Sequence, residues 1–314
     1  TQDYPPGRME VLVVDGMSED GTREIVRRLM DGHPQVPARI LVNPKRIVPA
    51  GLNIAIGQAR GDIIVRVDGH AIVSPRYVSE SVAALARTGA DAVGGPMTPV
   101  GHGWIGETIA LAHGLRFGLG GGLFHRATEE IEADTVYMGI FRRDVFERVG
   151  LFDEDLARNQ DIELNGRIRR GGGRIVLSPR IRSTYFCRDS LRGIWKQNFA
   201  NGLWLVRTVR RNKEALSVRH FVPLAFLMAL LLGSMAAVTL PLGWVVLAAV
   251  AGSYVLASAA ASIAAAGGHG WRFTAALPLV FAILHVSYGV GSLVGICRMV
   301  AQNVRRRLPS RTHR

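Results

Sequence analysis

The chain has 314 residues, 48% of them hydrophobic, which is enough for one globular domain joined to a membrane region. Its two cysteines, Cys187 and Cys297, lie far apart and exclude a disulfide framework or a cysteine metal site. The formal net charge of +13 makes nucleic acid a partner to consider, but the charge is concentrated in two segments beside apolar runs, which favours a membrane surface instead.

Strand and helix patterns alternate through the first half of the chain. Apolar runs that end in a turn predict strands at 9–14, 39–42, 63–67, 90–93 and 136–141. Apolar residues at helical spacing predict helices at 25–30, 50–59, 75–87, 143–149 and 161–170. The alternation predicts an α/β fold with a mainly parallel sheet that is covered by helices on both faces.

Two positions in this pattern carry side chains suited to chemistry. Asp68 and His70 follow the strand at 63–67, and ligands of open α/β sheets bind beyond the carboxyl ends of the strands. Asp161 opens a predicted helix. A purely structural interpretation exists for each carboxylate, because Asp-Gly is a common turn pair and an Asp at a helix start often serves only as a cap.

The pattern loosens between residues 100 and 133. The GLGGG run at 118–122 has the wrong spacing for a dinucleotide-binding loop and follows no apolar strand, so a mobile loop over the site is the better interpretation. His102, His113 and His125 share no metal-ligand spacing and are interpreted as surface or loop residues.

An amphipathic segment links the α/β pattern to the apolar region. Residues 190–219 mix large apolar and basic side chains, the composition of a helix that lies in a membrane interface. Trp195 and Trp204 are interpreted as interface anchors, because they flank the apolar region rather than a predicted sugar site.

The apolar region contains one formally charged residue, Arg272. Its three predicted spans are 221–240, 243–264 and 273–297. Nine Lys/Arg against two acidic residues precede it in 182–219, and six Arg with no acidic residue follow it in 298–314. Three crossings place these basic segments on opposite sides of the membrane, whereas the positive-inside rule places both in the cytoplasm. Either one apolar segment does not cross, or the basic tail departs from the rule.

Four motifs together resemble a known family. They are VVDGMSEDGT at 13–22, RVDGHA at 66–71, GIFRRDVFERVGLFDE at 139–154 and NQDIELNGRIRRGGGRI at 159–175. In this order they resemble the inverting GT-A-fold glycosyltransferases of family 2, most of all the membrane-bound glucosyltransferases of succinoglycan-type exopolysaccharide synthesis. The resemblance covers roughly residues 1–210 and implies a GT-A fold followed by transmembrane helices.

The resemblance also implies roles for single residues. Asp15 matches the carboxylate that contacts the nucleotide. Asp68 and His70 match the first and last positions of the family's Asp-x-Asp motif, which holds a divalent cation on the donor diphosphate; the histidine favours Mn²⁺, with Mg²⁺ as the alternative. Asp161 matches the general base. Gln160 stands where the family has a glutamate and is assigned to donor binding.

Two departures from the family matter. Family members begin with a strand and helix that precede the first motif here, so the chain is predicted to be truncated at its amino terminus and, as given, to be inactive or poorly folded. Gln197 matches the start of the Gln-x-x-Arg-Trp motif of processive synthases, but Ala200 and Asn201 occupy the Arg-Trp positions. Transfer of one sugar per encounter is therefore expected, without polymerisation.

The sequence thus predicts a multi-pass protein of the bacterial cytoplasmic membrane that transfers sugar, by resemblance glucose, from a UDP-sugar to a polyprenyl-diphosphate-linked oligosaccharide. The expected organisation is a glycosyltransferase domain at 1–189, an interfacial segment at 190–219, membrane helices at 220–298 and a basic tail at 299–314. Membrane lipids, and a polysaccharide-synthesis complex, are the expected partners, and nucleic acid is not. The alternatives are a polyprenyl-phosphate glycosyltransferase and a catalytically silent subunit of such a complex.

Overall fold

Strands and helices alternate from Val11 to Phe186 in the computed structural model, which describes residues 1–119 and 128–307. The chain divides into two compact units. The first, called here the α/β unit, contains residues 1–98, 128–185 and 212–215. The second, the helical unit, contains residues 99–119, 186–211 and 216–307.

The described strands are β1 (Val11–Asp15), β2 (Ala38–Val42), β3 (Ile63–Val65), β4 (Ala71–Val73), β5 (Ala92–Gly94), β6 (Met97–Val100), β7 (Ile131–Glu132), β8 (Ile140–Arg142), β9 (Ile175–Leu177) and β10 (Ser183–Phe186). The described helices are α1 (Thr22–Asp31), α2 (Val48–Gln58), α3 (Tyr77–Thr88), α4 (Gly103–Gly114), α5 (Arg116–Leu119), α6 (Asp144–Val149), α7 (Gln160–Arg170), α8 (Leu191–Arg211), α9 (Val222–Thr239), α10 (Gly243–His269) and α11 (Trp271–Arg307).

The strands form three sheets, with orders β1-β2, β4-β10-β6 and β3-β8-β5-β9-β7. The predicted α/β fold is confirmed, but the prediction of a mainly parallel sheet is wrong. Among the pairings with a described register, β1–β2 and β5–β9 are parallel and the other four are antiparallel. The reason is β8, which returns to the sheet after a long excursion and inserts between β3 and β5, antiparallel to both.

The five-stranded sheet is buried on both faces, as predicted. Successive residues of a strand point to opposite faces. Ala92 of β5 belongs to a cluster that contains Phe141, Phe146 and Leu164, whereas its neighbour Val93 packs in a second cluster. That second cluster contains Tyr77 of α3 and Met138, which precedes β8. The strands that lead to the candidate site are therefore held by packing from two sides.

Residues 100–119 are more regular than the sequence suggests. Helices α4 and α5 occupy most of this stretch, although its sequence pattern is loose. Gly118 lies in α5, whereas residues 120–122 of the proposed mobile loop, and His125, lie outside the described residues. His102 is exposed, but His113 is buried within α4 with Nδ1 2.8 Å from the carbonyl oxygen of Ile109, contrary to its interpretation as a surface or loop residue.

Helix α8 packs closely along α11 in the helical unit. A Cβ atom on Gly202 of α8 would lie 2.1 Å from the carbonyl oxygen of Tyr288, and one on Gly291 of α11 would lie 2.1 Å from that of Phe199. Both distances are far below van der Waals contact, so the backbones approach as closely as only glycine allows. The predicted interfacial segment is thus a helix whose glycines fit it to α11.

We predict that Gly202→Ala lowers the thermal unfolding midpoint of the purified protein in detergent. The added methyl group must push α8 from α11, and overpacking of this kind costs about 1–3 kcal/mol. Gly252→Ala in α10 is the matched control, because no heavy atom lies within 4 Å of the position that its methyl group would take. A helical Gly→Ala change without a clash is expected to be neutral or slightly stabilising. Equal midpoints for the two variants would contradict the close packing of α8 on α11.

Candidate active site

The turn after β3 places a carboxylate against a guanidinium. Strand β3 ends at Val65, two residues earlier than predicted, and Arg66–His70 form the turn that leads to β4. The Arg66 Nε atom donates to Asp68 Oδ1 at 2.7 Å, and Nη2 donates to Oδ2 at 3.1 Å. The two side chains are only 10% and 16% exposed. This is a two-pronged, largely buried ion pair, the strongest type of carboxylate contact that arginine makes.

A buried methionine, Met138, contacts the same turn. The backbone N–H of Asp68 points at Met138 Sδ, 3.3 Å away, and the Tyr77 hydroxyl donates to the Met138 carbonyl oxygen at 3.2 Å. Met138 has a φ of +46°, in the left-handed region that a non-glycine residue adopts at a cost of about 1–3 kcal/mol. Packing and these two contacts hold the strained residue, and the strained residue in turn fixes the position of Asp68.

Asp161 acts on the same guanidinium. It lies in the first turn of α7, which begins after Asn159, and its Oδ1 accepts from the Ile162 N–H at 2.9 Å. Burial of the Arg66 guanidinium opposes its charge, but the carboxylates of Asp68 and Asp161 outweigh burial and raise the pKa of Arg66. Two carboxylates that are 93 positions apart in the sequence therefore both act electrostatically on one guanidinium, and Asp68 also pairs with it directly.

Tyr137 is the second group that both carboxylates influence. Burial raises the pKa of the Tyr137 phenol, and the charges of Asp68 and Asp161 raise it further. Its hydroxyl is buried and has no hydrogen-bond partner among the described residues; the same is true of Gln160 Oε1 at the start of α7. Buried polar atoms without a partner are rare in folded proteins, and at a candidate site a bound ligand would supply the missing partner.

His70 stands at the exposed rim of this group. Its ring meets that of Tyr185 edge-on, with 5.6 Å between ring centroids, and Tyr185 lies 5.9 Å from Tyr137 in the same manner. Within residues 1–119 and 128–307, no three His, Cys, Asp or Glu side chains gather in a way that would hold a metal ion by themselves. A cation at Asp68 and His70 would need further ligands from a bound molecule.

Asp15 is engaged elsewhere. It ends β1 in the separate two-stranded sheet, is buried, and accepts from the Ser18 N–H at 3.2 Å and from Arg23 Nε at 2.5 Å. The hydrogen bonds from Ser18 and the charge and hydrogen bond of Arg23 lower its pKa to about 2. No contact described for Asp15 links it to Asp68 or Asp161, so the structure brings together four of the predicted site residues, namely Asp68, His70, Gln160 and Asp161, and leaves Asp15 in its own network.

Arg66, Tyr137 and Tyr185 were missed by the sequence analysis. The sequence does contain a signal for Arg66. A charged residue at the end of an apolar strand is costly to bury unless it is paired, and Asp68, two residues later, lies on the same side of the strand. It contains no signal for Tyr137, because that residue falls within the predicted strand 136–141. The structure begins that strand at Ile140, and the left-handed backbone at Met138 interrupts the extended chain directly after Tyr137.

Comparisons with known proteins agree on one family. Residues 1–150 match the model of glycosyl transferase family 2. The chain is 32% identical to a succinoglycan biosynthesis protein, ExoA, of Rhizobium meliloti over 70% of this chain and 67% of that protein. It is 27% identical, over 73% of each chain, to a dolichyl N-acetyl-α-D-glucosaminyl phosphate 3-β-D-2,3-diacetamido-2,3-dideoxy-β-D-glucuronosyltransferase of Methanococcus voltae.

A solved structure shares the fold. The mannosyltransferase PcManGT from Pyrobaculum calidifontis, in complex with GDP-Man and Mn²⁺, superposes with a TM-score of 0.57 at 21% identity. The match covers 94% of this chain and 80% of that one. Together with the sequence matches, this likeness confirms the GT-A-type architecture that the motifs imply.

The lowered pKa of Asp15 predicts a specific acid dependence of stability. A carboxylate whose pKa falls from 3.8 to about 2 on folding stabilises the folded state above the higher value and loses that contribution as the pH falls through the lower one. We expect the unfolding free energy of Asp15→Asn to change less than that of the wild type between about pH 5 and about pH 2, as measured by denaturant titration. Arg23→Gln, which removes one partner, should lie between them. An identical pH dependence in all three proteins would show that Asp15 does not contribute in this way.

Proposed function

This chain belongs to glycosyl transferase family 2, and we propose that it transfers a single glucose from UDP-glucose to a polyprenyl-diphosphate-linked oligosaccharide during exopolysaccharide synthesis. The observation that carries the proposal is the shared site of Asp68 and Asp161, in which a donor-side and an acceptor-side carboxylate act on one buried guanidinium. The names of two relatives support the choice of product and acceptor: one serves succinoglycan biosynthesis, and the other acts on a dolichyl-linked sugar phosphate.

Asp161 is the proposed general base. Glycosyl transfer requires the acceptor hydroxyl to lose its proton as it attacks the anomeric carbon, while the bond to the nucleoside diphosphate breaks on the opposite side. A carboxylate fixed by the Ile162 N–H is suited to receive that proton. Displacement in one step inverts the anomeric centre, so an α-linked donor yields a β-glycoside and no covalent sugar–enzyme intermediate forms.

The donor side is assigned to Asp68, His70, Gln160 and Tyr137. The hydrogen-bonding capacity of the buried Tyr137 hydroxyl and Gln160 Oε1 is unused in the structure, which suits them to contact the sugar or the diphosphate. Asp15 is proposed to influence nucleotide binding only by fixing the backbone at the end of β1, because its carboxylate already accepts hydrogen bonds from Ser18 and Arg23.

A divalent cation fits the donor set at the turn after β3. Asp68 supplies a carboxylate and His70 an exposed imidazole, and oxygens of the donor diphosphate would complete the coordination, as is usual where few protein ligands are present. The imidazole favours Mn²⁺ over Mg²⁺. When bound, such a cation neutralises charge that develops on the leaving diphosphate. Arg66 now donates to both oxygens of Asp68, so its positive charge would oppose, and its hydrogen bonds would compete with, a cation at this carboxylate.

We predict that Asp161→Asn lowers kcat by about 10²–10⁴ fold, the usual contribution of a positioned acid or base. The assay is transfer of labelled glucose from UDP-glucose to the lipid fraction of membranes that contain the protein expressed from its complete coding sequence. Asp144→Asn, which changes an exposed carboxylate in the first turn of α6, is the matched control and should retain activity. Full activity of Asp161→Asn would refute the base assignment. Absence of transfer by the folded wild type from any sugar nucleotide would refute the proposed function.

Arg66→Gln is predicted to strengthen Mn²⁺ binding in the absence of nucleotide by about tenfold or more. The substitution releases both oxygens of Asp68 and removes one positive charge from contact distance, an effect of a few kcal/mol near a protein surface. Binding is measured from the free Mn²⁺ signal in electron paramagnetic resonance of the purified protein. Arg60→Gln removes an exposed arginine that pairs with Glu10 and serves as the control. Equal affinity in the two variants would mean that Arg66 does not compete with the cation.

A further inference from the structure

Three helices of the helical unit are long and apolar enough to cross a membrane: α9, α10 and α11. We propose that only α9 and α10 do so, as a hairpin in the hydrocarbon core, and that α11 stays on the side of the membrane where α4, α5 and α8 lie. The inference concerns membrane topology, and it does not depend on the sugar, the acceptor or the cation proposed above.

Burial separates the three helices. In α9 and in α10, 11% of the apolar segment is buried by the rest of the chain. In α11 the buried share is 44%. Side chains on the hairpin are widely exposed, among them Val238, Leu242 and Trp244. Between Phe273 and Ile296 of α11, by contrast, Ala275 and Leu279 are the only exposed residues. Apolar surface that the chain leaves uncovered fits lipid tails, and α11 presents little of it because protein already surrounds it.

The first half of α11 contacts α4 and α5. Arg272 Nη2 lies 3.5 Å from Glu107 Oε2 of α4, the ring of Phe281 meets that of Phe117 edge-on at 5.0 Å between centroids, and His285 Nε2 lies 3.2 Å from the carbonyl oxygen of Gly118. Helix α4 has 12 residues, about 18 Å at 1.5 Å per residue, which is too short to cross a hydrocarbon core of about 30 Å. In the chain, α4 and α5 lie between β6 and β7, so they cannot belong to the far side of the membrane.

The second half of α11 contacts α8. The close approaches at Gly202 and Gly291 described above join these helices, and a Cβ on Gly295 would lie 2.8 Å from the carbonyl oxygen of Leu203. Helix α8 carries five Lys/Arg and no acidic residue. Each such charge at the centre of a bilayer costs about 2.5–3.5 kcal/mol, so α8 stays outside the hydrocarbon core. Both halves of α11 therefore contact helices that lie on one side of the membrane. If α11 crossed the membrane, its two ends would lie about 30 Å apart on opposite sides, and these contacts could not all form.

The hairpin has the dimensions of a double crossing. Helix α9 has 18 residues, about 27 Å, which is close to the thickness of the hydrocarbon core. The two helices pack closely, since a Cβ on Gly233 of α9 would lie 3.3 Å from the Cα atom of Leu247 in α10. Two crossings return the chain to its starting side. The arginines that follow Cys297 then lie on the same side as those of α8, which removes the conflict with the positive-inside rule.

Reporter fusions to the full-length protein test the topology. Green fluorescent protein fused after Arg314 should fluoresce and alkaline phosphatase fused there should be inactive, because each reporter works on one side of a bacterial inner membrane only. Alkaline phosphatase inserted after Pro241, in the α9–α10 turn, should be active. An active phosphatase after Arg314 would overturn the proposal in favour of three crossings, and an inactive one at Pro241 would show that the hairpin does not cross.

A labelling experiment repeats the test without a fusion partner. In inside-out vesicles that contain the Cys297→Ala protein, a membrane-impermeant maleimide should label Ala301→Cys directly and label Leu242→Cys only after permeabilisation. Both positions are exposed in the structure. Direct labelling of Leu242→Cys, or protection of Ala301→Cys until permeabilisation, would contradict the proposed sidedness.

Discussion

A buried guanidinium beside two carboxylates is the constraint on which the candidate active site depends. Burial alone penalises the charge of Arg66, and the carboxylates of Asp68 and Asp161 outweigh that penalty. Without the guanidinium, the largely buried Asp68 would lose its ion-pair partner and Asp161 would lose a nearby positive charge. A divalent cation at Asp68, as proposed above, would meet an existing counter-ion there, so its affinity would depend on Arg66. The negative charge of a donor diphosphate would offset the repulsion between that cation and the guanidinium.

The order of the elements and the strand-end location of Asp68 follow from apolar runs, turn residues and helix caps, all of which are local. Local pattern also locates Asp161 at a helix start. What the sequence analysis missed depends on contacts between distant segments. The insertion of β8 between β3 and β5 makes the sheet mixed, and the left-handed backbone at Met138 ends the extended pattern beside Tyr137. Neither leaves a periodic signal, because each is imposed by packing from elements that are far away in the chain.

In the helical unit, too, contacts between distant segments carry information that hydropathy does not. By composition, α11 is as good a membrane span as α10, and the sequence therefore predicts three crossings that conflict with the distribution of arginines. The contacts of α11 with α4 and α8 are what distinguish the two helices. An apolar helix that is covered by its own chain needs no lipid, so under the proposed topology apolar length alone overestimates the number of crossings. An interfacial α8 and a lipid-embedded hairpin would keep this glycosyltransferase at a membrane surface, where the proposed lipid-linked acceptor would lie.

The most direct test of the proposed site is anomalous diffraction at the manganese edge from crystals of the full-length protein grown with Mn²⁺ and UDP. We predict one strong peak within coordination distance of the Asp68 carboxylate, the His70 imidazole and the diphosphate oxygens. A peak at any other position, or bound UDP with the Arg66–Asp68 pair intact and no manganese beside it, would contradict the assignment.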